Sequence, residues 1–271
     1  MTLRRLIILV STLMMLYVIG IFFVYILIDF IVFNPVRHSQ NTVYHFDLPH
    51  TEFKLSQPNE EKFNVLQFRP ELPVKAHILF LHGADKSADY WASKFARFFT
   101  ERQYSVAFPD YRGYGKSDSR PSEFNWYEDA QLSYSWLKNQ VGQDSVIIVG
   151  YGLGAVAAAY LANLSPCRLV VMINPIYGIR EWFRLKLPAL VLLPRDLKYD
   201  FNTFEYIQNI ISPLVLMINR NSSDIAPESA AHLRSLLQDP GSYIELDHPP
   251  GDLPVDEVHF VDFFDLLGKE L

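Results

Sequence analysis

The chain opens with one long apolar segment, and a domain of mixed apolar and polar pattern follows it. No charged residue occurs from Leu6 to Ile28. About 20 apolar residues are enough for a helix to cross the hydrocarbon core of a bilayer. The pattern therefore predicts a short N-terminal tail (1–5), a transmembrane signal anchor (6–28), a juxtamembrane linker (29–40) and a folded domain (41–271).

A cleaved signal peptide is the alternative for this first segment. The apolar run is longer than the core of an ordinary signal peptide, and no small-x-small cleavage site follows it, so we favour an uncleaved anchor. Arg4 and Arg5 precede the span, whereas Arg37 alone follows it closely. The positive-inside rule then predicts a single-pass protein whose N-terminus is cytoplasmic and whose C-terminal domain lies outside the cytoplasm.

Beyond the anchor, apolar runs typical of buried strands alternate with stretches of helical periodicity. This order predicts an α/β fold with a mainly parallel sheet and helices on both faces. Short strand-like stretches come first, in 41–55 and 62–68, with a polar turn over 57–61 between them. The later predicted strands are 77–81, 105–108, 145–149, 169–173, 214–218 and 243–246, and the predicted helices are 88–102, 126–141, 155–163, 229–237 and 255–269.

One stretch, approximately 177–210, departs from this alternation. It is rich in leucine and aromatic residues, and three readings stay open. It is a short cap over the edge of the sheet where α/β proteins place their ligand crevice, or an ordinary helix packed on the core. The third reading is a membrane contact, because Arg180, Arg184 and Lys186 are interspersed among its apolar residues.

Composition excludes several functional classes. The formal net charge is −6 and basic residues do not cluster, so we expect no nucleic-acid partner. Cys167 is the only cysteine, which excludes an intrachain disulfide. The chain lacks a phosphate loop, an H-E-x-x-H motif and a cysteine pair, so we predict neither a metal site nor a cofactor.

The most informative motif is the Gly-Tyr-Gly-Leu-Gly run at 150–154, between a predicted strand and a predicted helix. The nucleophile elbow G-x-S-x-G needs this setting, but its central serine is absent. Other motifs are Phe-Leu-His-Gly at 80–83, Asp-Tyr-Arg-Gly-Tyr-Gly-Lys-Ser at 110–117 and Tyr-Glu-Asp-Ala at 127–130. Their order and spacing resemble the membrane-anchored branch of the α/β-hydrolase family, which consists of serine hydrolases and includes serine aminopeptidase-like members.

The resemblance implies positions for the catalytic groups. It puts Gly152 at the nucleophile position, where no side chain can form an acyl-enzyme. It puts the oxyanion region at Gly83, Ala84 and Leu153. The family has a small, Gly- and Asn-rich turn after His-Gly, but this chain has Asp85 there, a carboxylate where negative charge would develop.

The acid and the base are also out of position. The family pattern expects an aspartate four residues before Pro227, where Ser223 stands; Asp224, one residue later, is the candidate acid, and a solvated loop carboxylate or a helix cap is an equal alternative. The family pattern has a histidine shortly before an acidic-Leu pair, which resembles Asp252-Leu253 here. In that register the histidine position falls on Pro250, so His248, two residues earlier, is the candidate base, with a loop histidine as an equal alternative.

These departures together predict a degenerate triad. We expect a catalytically inactive pseudohydrolase, anchored in a membrane, that keeps the crevice for an apolar or acyl-containing ligand or for a protein partner. The alternative is an active esterase, lipase or peptidase acting on acyl ester or amide bonds. A purely structural membrane tether is the third class, but such a tether would not require an intact elbow.

Overall fold

The computed structural model describes residues 3–56, 61–187, 198–249 and 253–270. Within these ranges eight strands form one sheet, in the order β1-β2-β4-β3-β5-β6-β7-β8. The strands from β3 to β8 run parallel, whereas β1 and β2 pair antiparallel with each other and β2 pairs antiparallel with β4. The strands are β1 (His50–Ser56), β2 (Lys62–Phe68), β3 (Ala76–Leu81), β4 (Tyr104–Asp110), β5 (Val146–Tyr151), β6 (Leu169–Ile173), β7 (Leu214–Asn219) and β8 (Tyr243–Leu246).

Helices connect most of these strands. They are α1 (Leu3–Phe33), α2 (Ala88–Glu101), α3 (Glu123–Val141), α4 (Leu153–Leu164), α5 (Ile179–Lys186), α6 (Thr203–Tyr206), α7 (Pro227–Ser235) and α8 (Val258–Glu270). The mainly parallel sheet of the predicted α/β fold is thus confirmed. The predicted polar turn lies mostly at 57–60, and the middle of the predicted cap lies at 188–197, both outside the described residues.

Both faces of the sheet are covered, as predicted. Along β5, Ile147 and Val149 belong to a core shared with α2 and α8, whereas Val146 and Ile148 belong to a core shared with α3 and α4. Successive side chains of a strand point to opposite faces. A strand buried on both faces therefore needs the continuous apolar run from which these strands were predicted.

The first helix is longer than the predicted span. Among the described residues, it is the one helix whose length and composition would let it cross a membrane. It continues to Phe33, five residues past the predicted end of the span. Ile28, Val32 and Phe33 are buried in the core of the domain. This burial explains the extension, because the last turns of α1 pack against protein and act as part of the fold.

Phe33 makes the main contacts of this helix end. Its carbonyl oxygen accepts hydrogen bonds from the Tyr114 hydroxyl at 2.5 Å and from the Asp85 backbone N–H at 3.0 Å. Its ring packs against Trp126 and Tyr199, with ring centroids 5.5 and 5.2 Å away. The helix end is thus attached to several separate parts of the domain.

A second buried group lies at the end of β4. The Asp110 carboxylate is fully buried and accepts hydrogen bonds from the Ala88 backbone N–H at 2.7 Å and from the Asn64 side-chain amide at 3.4 Å. Burial raises the pKa of Asp110 to about 7. A Cβ atom on Gly115 would lie 2.0 Å from the Asp110 carboxylate, so glycine is required there.

Phe33→Ala should destabilise the protein by about 3–5 kcal/mol, because it removes a fully buried ring from a packed core. The measurement is the denaturant midpoint of the full chain in detergent. Phe30→Ala is the matched control, since the Phe30 side chain is 65% exposed. Equal destabilisation by the two substitutions would contradict the docking of α1 into the domain.

Asp110 should make the stability fall as the pH rises. Because its pKa is higher in the folded state than the ordinary value of 3.8, its contribution is fully present below pH 3.8 and is lost as the pH rises through about 7. That difference corresponds to about 4 kcal/mol. Asp110→Asn keeps an oxygen acceptor for Ala88 and should flatten the curve of unfolding free energy between pH 4 and pH 8. Parallel curves for the native protein and the variant would contradict the assignment.

Candidate functional site

The turn between β5 and α4 has the geometry of a nucleophile elbow. Gly152 stands at its apex with φ 56° and ψ −118°, a backbone conformation that side-chain-bearing residues rarely adopt. Its N–H donates to the Ile173 carbonyl at 2.9 Å, and its carbonyl accepts from the Ala155 N–H at 3.1 Å. The backbone turn of a nucleophile elbow is therefore present, but the serine side chain of the G-x-S-x-G motif is absent from its apex.

The three glycines of the motif have different reasons for being glycine. A Cβ atom on Gly150 would lie 2.5 Å from the Ala155 Cα atom, and one on Gly154 would lie 2.1 Å from the Leu81 carbonyl oxygen. Both positions are closed to any side chain. A Cβ atom on Gly152 would meet only the Gly83 Cα atom, at 3.9 Å. Packing therefore leaves room for a serine at Gly152.

A cavity of about 480 Å³ lies over this turn, a size typical of ligand clefts. The predicted oxyanion residues Gly83, Ala84 and Leu153 line it together with Gly152, so the structure brings these four positions to one place. Leu153 begins α4, and the backbone N–H groups of a first helical turn have no partner within the helix. The remaining described lining comes from Ile31, Val32, Asn34, Asp85, Lys86, Tyr90, Trp91, Tyr151, Ile176, Ile179, Trp182, Lys186, Asp224 and Leu253.

The histidine of the His-Gly motif is structural. His82 is fully buried, its Nδ1 atom lies 2.7 Å from the Gly83 carbonyl oxygen, and its ring packs on Tyr111 and Tyr114. Burial lowers the pKa of His82 to about 4. The imidazole is consequently neutral at physiological pH and supports the loop after β3.

The loop after β3 carries the unusual carboxylate. Asp85 has a left-handed backbone with φ 69°, and its side chain lines the same cavity as Gly152. Burial raises the pKa of Asp85, the nearby Lys86 ammonium lowers it in part, and the nearby Asp224 carboxylate raises it, with a net rise. The net rise reflects the cost of burying negative charge in the region to which the resemblance assigns the oxyanion.

The candidate acid is paired with a cation from α5. The Asp224 carboxylate lies 2.7 Å from the Lys186 Nζ atom at the end of α5, and Lys186 also donates to the Ser223 hydroxyl at 3.0 Å. Asp224 lines the cavity but makes its described ion pair with this lysine. Lys186 and Asp224 therefore join α5 to the loop after β7.

The candidate base is held on a different element. His248 is 8% exposed, and its Nδ1 atom lies 3.2 Å from the side-chain amide nitrogen of Asn219 at the end of β7. The same amide donates to the His248 carbonyl at 3.0 Å. His248 is not among the described residues that line the cavity over Gly152. Pro250 and Asp252, which set its register in the sequence, lie outside the described residues.

Two features of the site, Asn219 and the wall formed by α1, were not predicted from the sequence. Asn219 places a neutral amide beside His248. It directly follows the predicted strand 214–218, and this position is the only feature of the sequence that points to it. Ile31, Val32 and Asn34 line the cavity, although the first two look like ordinary apolar residues following a membrane span. Their position depends on contacts with residues that are distant in the chain.

Two relatives illustrate what the chain is similar to. It is 34% identical over 144 residues to an uncharacterized protein of Mycobacterium tuberculosis, covering 52% of this chain and 50% of that protein. It is 28% identical over 141 residues to the lysophosphatidylserine lipase ABHD12 of Danio rerio, covering 49% of this chain and 36% of the lipase. The chain thus spans half or less of the length of the curated relatives that it matches.

The solved structures and a family model agree on the fold. The structure of a Pyrococcus furiosus esterase aligns with a TM-score of 0.65 over 87% of this chain and 94% of the esterase, at 19% identity. At that identity the likeness concerns the fold alone. The model of the alpha/beta hydrolase fold matches residues 76–215, which include the elbow, the His-Gly loop and helix α5. The chain belongs to the alpha/beta hydrolase fold family.

Proposed function

We propose that this protein is a membrane-anchored pseudohydrolase, which binds an apolar or acyl-containing ligand in the cavity over Gly152 and does not hydrolyse it. The observation that carries the proposal is the glycine at the apex of an otherwise preserved elbow. The cavity remains of ligand-binding size, so binding does not depend on the lost chemistry.

A replacement nucleophile is the first requirement for hydrolysis. Tyr151 precedes Gly152 and lines the cavity. Burial raises the pKa of the Tyr151 phenol, which makes the nucleophilic phenolate scarcer at neutral pH. Gly152 itself has no atom that could attack a carbonyl. These features support binding rather than covalent catalysis.

A base oriented by an acid is the second requirement. His248 faces the amide of Asn219, and Asp224 is paired with Lys186. An amide cannot stabilise an imidazolium as a carboxylate does, since it carries no charge. The candidate base His248 and the candidate acid Asp224 therefore each have a different partner. This arrangement supports the proposal that all members of the triad have been lost together.

The membrane part of the proposal relies on α1. Its side chains from Leu6 to Phe30 are mostly apolar and exposed, which is costly in water and favourable in lipid. A lipid bilayer is therefore the proposed environment of this surface. The arginines at the N-terminal end favour a cytoplasmic N-terminus and a domain on the opposite side.

The native protein should give no adduct with a fluorophosphonate probe, because the elbow lacks a hydroxyl. The full chain in detergent is incubated with the probe and its intact mass is measured. A stoichiometric adduct on a single residue lining the cavity would contradict the proposal, and would favour the active esterase, lipase or peptidase instead.

Gly152→Ser should fold, because its Cβ atom meets only the Gly83 Cα atom at 3.9 Å and the backbone strain at this φ costs about 1–3 kcal/mol. Any hydrolysis of p-nitrophenyl esters by this variant should stay within about tenfold of the background rate of Gly152→Ala. The alanine variant is the matched control, since it introduces the same backbone strain without a hydroxyl. A rate for the serine variant that exceeds the control by more than about a thousandfold would mean that a working base and acid remain.

A further inference from the structure

The last turns of the anchor helix form one wall of the cavity. Ile31 and Val32 of α1 line it together with Ile179 and Trp182 of α5. Asp29 fixes the same helix to the cap through hydrogen bonds from the Lys198 ammonium and the Tyr199 hydroxyl. The binding site is therefore incomplete without the end of the anchor.

The surface of α1 leads from the span to this wall. Leu27 is 48% exposed and lies one helical turn before Ile31, so the two side chains share a face. Phe23, one turn before Leu27, is 56% exposed, and Ile31, one turn after it, lines the cavity. An apolar path therefore continues along one helix from the membrane-spanning part to the cavity.

The geometry of a helix sets the height of the cavity above the bilayer. About 20 residues cross a hydrocarbon core of about 30 Å, so a span that begins at Leu6 leaves the core near Tyr25. Ile31 is six residues further, which at about 1.5 Å per residue is about 9 Å. That height is comparable to a headgroup layer of about 5–8 Å. Since α1 is unbroken and its end is buried in the domain, the cavity is held at about this height above the hydrocarbon core.

The lining of the cavity is itself amphiphilic. Among the described lining residues, apolar side chains come from α1 and α5, and the charged groups are the carboxylates of Asp85 and Asp224 and the ammonium groups of Lys86 and Lys186. The formal charges of these four residues cancel, which favours a ligand without a large net charge. The volume of 480 Å³ is in the lower half of the range of about 300–1,000 Å³ for ligand clefts, which favours one apolar chain over the two chains of a bilayer phospholipid.

From these observations we infer that the cavity takes up a single-chain amphiphile directly from the bilayer, along the face of α1 that carries Leu27 and Ile31. The apolar chain lies against α1 and α5, and the polar end lies among the charged groups of the loops after β3 and β7. The inference deepens the proposed function and rests on it, because it names the ligand class of the same cavity.

The test uses the full chain reconstituted in phosphatidylcholine vesicles that contain a trace of lysophosphatidylcholine with a diazirine on its chain. After irradiation, cross-linked peptides are mapped by mass spectrometry. Cross-links are expected on α5 around Trp182. Ile31→Trp, which narrows the cavity, should reduce them at least tenfold. Phe30→Trp places the same side chain on an exposed neighbouring position and should leave them within twofold.

A second measurement does not depend on the folding of Ile31→Trp. Lysophosphatidylcholine with a brominated chain should quench the fluorescence of Trp91 and Trp182, which line the cavity, and Trp182→Phe should lose part of this quenching. Cross-links confined to exposed residues of α1, with no difference between the two tryptophan variants and no quenching change in Trp182→Phe, would overturn the inference.

The two proposals fail in different ways. A fluorophosphonate adduct on the native protein contradicts the pseudohydrolase, whatever the lipid experiments show. Absence of cavity cross-links together with absence of an adduct contradicts uptake of a single-chain amphiphile from the bilayer, and leaves the pseudohydrolase standing.

Discussion

The attachment of Phe33 to the core is the contact on which the rest of this site depends. Its carbonyl group accepts hydrogen bonds from Tyr114 and from Asp85, and its ring packs against Trp126 of α3 and against Phe201. One residue thereby joins α1, the loop after β3, α3 and the segment before α6. Without it, the cavity would lose a wall and the loop would lose a hydrogen-bond acceptor.

The elbow shows which part of a catalytic site can be lost without disturbing the fold. Gly150 and Gly154 are fixed by close backbone contacts, whereas Gly152 has free space beside it. Holding a serine in this backbone conformation stores about 1–3 kcal/mol of strain. A glycine at Gly152 releases that strain while the strand, the turn and the helix keep their positions. Loss of the nucleophile is therefore compatible with a stable fold and an intact cavity.

Local patterns predict much of the fold but less of the site. The apolar run at 169–173 coincides with β6, because a buried parallel strand demands continuous apolar residues. The elbow and the His-Gly loop are likewise local, and the structure brings Gly152, Gly83 and Ala84 to one cavity as the motifs suggest. The partner of His248 is not local, since Asn219 is 29 residues away and the contact depends on the paths of two loops. The cavity wall at Ile31 could not be predicted, because apolar residues serve equally to face lipid or protein.

The unbroken course of α1 has a mechanical consequence. A helix of 31 residues is about 46 Å long, and its far end is fixed in the core rather than joined through a flexible linker. Transmembrane helices tilt to match their apolar length to the thickness of the membrane. In the proposed membrane-anchored arrangement, such a tilt turns the whole domain with the helix, so the thickness of the surrounding bilayer would set the angle at which the domain faces the lipid headgroups.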